Sequence, residues 1–133
     1  MPFEHELRVR YGECDPQGIV FNANYLAYFD IAVTELWRAA FGSWQAMVDR
    51  GVDVVVGEAN VRFRAPARFD DVLTLRARIG GFGTTSMTTE IEIACNGAQL
   101  VEGWLRQVCV DASTFGKTEL PDWLRAGLEP YAA

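Results

Sequence analysis

Between Asn24 and Gly42 the apolar residues Tyr25, Phe29, Ala32, Val33, Leu36 and Ala40 recur at three- and four-residue spacing, while Asn24, Asp30, Thr34 and Arg38 fall mostly elsewhere. That spacing lays one apolar stripe along an α-helix. Asn22 or Asn24 is a candidate N-cap and Gly42 a natural stop. At 1.5 Å per residue the helix would be about 25 Å long, enough to cross a sheet. Ahead of it "FEHELRV" (3–9) alternates and predicts a first strand, and behind it "SWQAMVDRG" (43–51) predicts a short helix ended by Gly51. From Val52 the period changes to two, with Ala59, Val61 and Phe63 alternating with Asn60, Arg62 and Arg64. Leu73, Leu75, Ala77 and Ile79 form a second alternating set, and Met87, Thr89, Ile91, Ile93 and Cys95 a third. "GGFG" (80–83) predicts a turn between those two runs. "NG" (96–97) predicts a tight hairpin into the last strand, 99–111, because both residues tolerate positive φ. The C-terminal "LPDWLRAGL" reads as a short helix or turn of unassigned role.

The order is strand, long helix, then a meander of four long antiparallel strands, each with one apolar and one polar face. It predicts an α+β fold in which an antiparallel sheet of about five strands wraps a long central helix, as one domain over residues 1–133.

Composition narrows the function classes. The chain has 12 basic and 18 acidic residues, a net charge of −6, and this argues against general binding to nucleic acid or to an anionic membrane. No apolar run approaches a membrane span and no basic-then-apolar leader opens the chain, so a cytoplasmic protein is expected. Cys14, Cys95 and Cys109 show no CxxC spacing, and His5 is the single histidine. Neither a disulfide framework nor a metal site is expected, and no cofactor is implied.

The candidate chemistry lies in "YGECDPQGIVFNANY" (11–25). Asp-Pro-x-Gly is ordinary turn composition, with the Asp side chain accepting from the backbone ahead of it. Within a few residues this turn leads into the N-terminus of the longest helix, where unpaired N–H groups favour negative charge. A carboxylate held beside such amides suits acyl transfer. It can attack a carbonyl or activate water while the amides stabilise the oxyanion.

Gly12, Asp15, Gly18, Ile19, Val20, Phe21, Asn24 and Tyr25 together resemble the N-terminal signature of the 4-hydroxybenzoyl-CoA thioesterase family. "RFRAPARFDDVLTLRARI" (62–79) continues the resemblance, which reaches to about residue 110. It implies a hotdog fold and hydrolysis of a short-chain or aromatic acyl-CoA thioester, or of a carrier-protein thioester, by Asp15 as nucleophile or general base. The backbone N–H near Asn22 would face the thioester carbonyl, and Gly18, Val20, Phe21, Tyr25 and Phe29 would line the substrate site. A homodimer or homotetramer with sites at the subunit interface is also implied. The alternative from another class is a non-catalytic module that binds acyl-CoA or acyl-carrier protein.

The chain departs from its relatives at Asn22, where many carry His or Tyr. Asp30 matches an acidic position of the family, against the plainer role of a solvated helix residue or a partner for Arg38. Glu35 reads as structural. A hydratase would need an Asp–His pair, and His5 lacks that arrangement. Arg62, Arg64, Arg68, Arg76 and Arg78 read either as strand residues paired with acids or as contacts for coenzyme A phosphates. "GGFGTTSM" (80–87) is a further family-based candidate, for the pantetheine arm.

Overall fold

The computed structural model describes residues 1–133. Strand β1 spans Phe3–Arg8, helix α1 Asn24–Phe41 and the short helix α2 Trp44–Asp49. Strands β2 to β5 span Val52–Phe63, Val72–Phe82, Ser86–Cys95 and Ala98–Asp111, and helix α3 spans Asp122–Leu128. Single 3-10 turns occupy Tyr11–Glu13 and Glu129–Tyr131.

All five strands form one antiparallel sheet in the order β1-β3-β4-β5-β2. The expected four-strand meander is therefore only three strands long, because β2 does not pair with β3. It lies at the far edge beside β5, matching Val52 with Asp111 and Phe63 with Val101, and β1 takes the place next to β3. The strands before and after α1 thus occupy opposite edges, and the sheet curls around the helix. This is the hotdog arrangement.

Helix α1 buries Tyr25, Tyr28, Phe29, Ala32, Val33, Leu36 and Trp37. Tyr28 and Trp37 broaden the stripe that spacing alone marked out. The sheet answers with its inward set, Leu73, Leu75, Ala77 and Ile79 on β3 and Met87, Ile91 and Ile93 on β4. Each large side chain so buried contributes roughly 1.5–3 kcal/mol. That outweighs the roughly 1 kcal/mol of a missing cap: the N-cap position is held by Ala23, which makes no side-chain cap bond, and neither Asn22 nor Asn24 caps the helix. Two polar side chains share this interior, and Thr89 Oγ1 donates to Gln107 Oε1 at 2.5 Å.

The "GGFG" turn is displaced. Gly80 to Phe82 continue β3 past a register shift between Ile79 and Gly81, and the reversal comes at Gly83, whose N–H donates to Ser86 O. The Asn96–Gly97 turn is as expected, with φ of 51° and 82°. Helix α3 buries Leu124 and Leu128, and Trp123 meets Phe41 edge-on at 5.6 Å between ring centroids. It therefore closes the core at the C-terminal end of α1.

Candidate active site

The 11–25 segment folds as a hairpin arm laid against α1. Cys14 bridges Val20, the Asp15 N–H donates to Ile19 O at 2.9 Å, and the Gly18 N–H donates to Asp15 O at 2.9 Å. The second of these closes a turn over Asp15-Pro16-Gln17-Gly18, and Gly18 has φ of 78°, which a residue with a Cβ adopts only under strain. Alternation along the arm sends Val20 into the core, and Cys14, its bridge partner, packs against the same core. The Val20 N–H donates to Ala67 O, and Ile19 bridges Arg68, so the arm is tied to the loop before β3 as well.

Asp15 is half-buried at the tip of this arm. Its Oδ1 accepts from the Gln17 N–H at 2.8 Å, the side-chain-to-backbone bond of an Asp turn. Its Oδ2 accepts no hydrogen bond from the chain, and no arginine or lysine pairs with it. Asp15 is thus both a turn residue and a carboxylate with one free oxygen.

At the other end of the arm the chain turns into α1. The Asn24 N–H donates to Phe21 O and the Tyr25 N–H to Asn22 O, whereas the Asn22 and Ala23 N–H groups find no acceptor in the chain. These two exposed amides precede the positive end of an 18-residue helix. Asn24 turns its side chain back, and its Nδ2 donates to Glu13 O at 2.8 Å. The same carbonyl accepts the Phe21 N–H at 3.0 Å.

The proposed substrate residues divide into two groups. Gly18 and Phe21 are exposed, with Phe21 48% accessible. Val20, Tyr25 and Phe29 are buried core residues in the single chain. The Tyr25 hydroxyl accepts the Ala67 N–H at 3.1 Å. Burial pushes its pKa up, helped by the negative potential of Cys14, Asp15 and Asp71, so the phenol lies within the field of Asp15.

Several side chains do not gather at this site. Arg76 pairs with Glu4 at 2.8 Å, Arg78 with Glu90 at 3.0 Å, and Arg64 with Glu102, all on the outward face of the sheet. Arg62 has no acidic partner within 4 Å; nor has Arg68, which differs from the others in lying beside the arm through its bridge to Ile19. Asp30 is exposed and unpaired, and Glu35 pairs with Arg38. His5 stands on β1 opposite Leu75, in a groove of about 590 Å³ with Tyr11 and Phe69. A second depression of about 340 Å³ lies among Asn60, Arg62, Arg78, Glu90 and Trp104 on the outer sheet face. Neither is lined by Asp15 or Asn22.

One residue of the motif has more contacts than its spacing suggested. Glu13 Oε1 accepts the Tyr28 O–H at 2.9 Å and the Arg10 N–H at 2.8 Å. Burial, then the Glu13 hydrogen bond and charge, pushes the Tyr28 phenol well above its ordinary pKa of 10, so it stays a proton donor.

Comparison with known proteins agrees with this architecture. Residues 9–128 match the thioesterase-like superfamily. The acyl-CoA thioester hydrolase YbgC of Escherichia coli O6:H1 is 33% identical over 120 residues, covering 90% of each chain. The 4-hydroxybenzoyl-CoA thioesterase of Pseudomonas sp. is 36% identical over 75 residues, 54% of this chain and 53% of that one. A crystal structure from Jannaschia sp. CCS1, described as thioesterase superfamily, superposes with a TM-score of 0.94 at 25% identity, covering 99% of this chain and 94% of that one. With a five-stranded sheet curled on one long helix and a match over nearly its whole length, the chain belongs to the thioesterase-like superfamily.

Proposed function

We propose that this protein hydrolyses acyl-CoA thioesters, with Asp15 as the reacting carboxylate and the Asn22 and Ala23 N–H groups as the oxyanion donors. It is a thioester hydrolase, and relatives carrying that activity include one named for acyl-CoA thioester hydrolysis. The observation that carries the assignment to Asp15 is its free Oδ2, presented on an arm that is hydrogen-bonded to the start of α1.

Two routes use the same groups. In one, Oδ2 attacks the thioester carbonyl, the carbonyl oxygen becomes an oxyanion at the amides, and collapse expels the coenzyme A thiolate. The resulting mixed anhydride is then cleaved by water to restore the carboxylate. In the other, the carboxylate takes a proton from a water as that water attacks the carbonyl. Either way the thiolate leaves with little help, since a thiol has a pKa near 8.5, and the site requires no histidine.

The acyl pocket is completed by a second copy of the chain. Strand β2 has a sheet neighbour on one side only and leaves Val56 and Phe63 exposed, while Phe21 and Leu26 are exposed around the start of α1. A long edge strand with exposed apolar side chains is a pairing surface. Against it, Phe21 becomes an acyl contact, with Gly18, Val20, Tyr25 and Phe29 shaping the wall behind.

The test is thiol release from a panel of short-chain and aromatic acyl-CoAs, with the same samples sized by sedimentation. Wild type should release thiol as an assembly of two or more chains, and Asp15→Asn should lose at least about a hundredfold in kcat/KM. Comparable rates for the two would move the chemistry off Asp15. No release from any thioester would instead favour a binding module.

A further inference from the structure

The arm that carries Asp15 and the helix that presents the Asn22 and Ala23 amides are separate pieces of backbone, and one residue joins them. The Glu13 carbonyl accepts from Phe21 N–H and Asn24 Nδ2, while its carboxylate accepts from Tyr28 O–H and Arg10 N–H. Through these four bonds Glu13, the last residue of the 3-10 turn, is tied to Arg10 ahead of that turn, to the return strand of the arm, and to two positions on α1. Tyr28 is itself buried, 1% exposed and edge-on to Tyr25 at 5.8 Å between ring centroids. Asp15 lies two residues beyond this joint and Asn22 one residue beyond Phe21, so the joint sets the separation of carboxylate and amides.

We propose that Glu13 is a positioning residue for thioester hydrolysis: its carboxylate, held by Tyr28, locks the Asp15 arm to α1 at the spacing the reaction needs. The inference rests on the assignment of Asp15 and adds a second acidic residue that never meets substrate. A displacement of about 1 Å in such a constellation costs up to about a hundredfold in rate, whereas loss of one hydrogen bond costs the fold roughly 0.5–1.5 kcal/mol. The effect should therefore fall on catalysis more than on stability.

Three variants separate this from other roles. Glu13→Ala removes Oε1, the acceptor of both side-chain bonds, Tyr28→Phe removes one donor, and Glu13→Gln keeps a carbonyl oxygen for both donors while removing the charge. Glu13→Ala should lower kcat about 10- to 100-fold with KM nearly unchanged, and Tyr28→Phe should follow in the same direction. Glu13→Gln should recover most of the loss. If Glu13→Gln is as impaired as Glu13→Ala, the carboxylate acts by its charge or as an acid, and the positioning role is overturned. Amide hydrogen exchange supplies a readout independent of turnover. Exchange in residues 15–25 should accelerate in Glu13→Ala and Tyr28→Phe while β3 to β5 stay protected. Unchanged exchange there overturns the proposal whatever the activity, and Asp15→Asn, with its arm intact, should leave that exchange as in wild type. A wild type without thioesterase activity would count against the functional assignment, with the exchange data still deciding the role of Glu13.

Discussion

Asp15 and Glu13 are two residues apart and do opposite work with the same functional group. Asp15 keeps an oxygen free of the protein, and Glu13 has Oε1 engaged twice. The first was legible in the sequence, because turn composition ahead of a helix start is a local pattern. The second was not, because Tyr28 lies fifteen residues away and meets Glu13 only after the arm has folded back. A separation of eleven residues likewise hid the fate of Asn24, which spacing marked as a cap and which in fact ties the helix to the arm. The Glu13–Tyr28 contact also predicts a pH response. The phenol of Tyr28 is raised above 10 by burial and by Glu13, with Tyr25 and Cys14 adding to the same shift. Above pH 10 the unfolded chain gives up that proton while the folded chain keeps it. The contribution is complete below pH 10 and is lost as pH rises, at up to about 1.4 kcal/mol per pH unit. Urea unfolding at pH 8 and pH 11 should show wild type losing more stability than Tyr28→Phe over that interval. Parallel losses would mean that Tyr28 titrates normally.

Among the elements, the helix and the three central strands were readable because each buries one face, and burial leaves a period in the sequence. What period cannot record is the neighbour. β2 alternates like β3, yet it pairs with β5. The glycines that allow this carry no period either. A Cβ on Gly103 would come within 1.9 Å of Asn60 O on β2 and 3.0 Å of the Phe29 ring on α1. The absent side chain therefore lets β2, β5 and α1 meet at one point. Gly103→Ala should cost roughly 1–3 kcal/mol or more in chemical denaturation, by forcing backbone and ring apart. Gly81→Ala, whose Cβ would meet nothing within 4 Å, should change stability little. Similar costs at the two positions would show that the close approach is not what Gly103 provides. Gly80 and Gly81 mark the same limit of reading. Glycine suggested a turn, but the strand runs through both and reverses only at Gly83.

At the scale of the whole molecule, Asp15 and Asn22 line neither of the two depressions described above. No helix is long and apolar enough to cross a membrane. The resemblance in the 11–25 motif reached the family and the fold, since motif and architecture are both properties of a single chain. The assembly that would close the site depends on surfaces with no local signature. The strand order has one more consequence, which concerns time. β3, β4 and β5 are joined by short reversals, and they can pair before the rest of the chain is organised. β1 and β2 must each find a partner far along the sequence, Phe3 with Ala77 and Val52 with Asp111. Loop closure of that kind is slow, and antiparallel folds dominated by it form in about milliseconds to seconds. The central hairpins should therefore constitute the nucleus, and the two edges that complete the wrap around α1 should dock late. In stopped-flow refolding, Ile91→Val should slow folding, whereas Val54→Ala should mainly speed unfolding. The reverse pattern would place the nucleus at the edge. Until β2 docks, the nascent chain exposes the unpaired side of β5, which is then the strand edge most prone to pair with another unfinished chain.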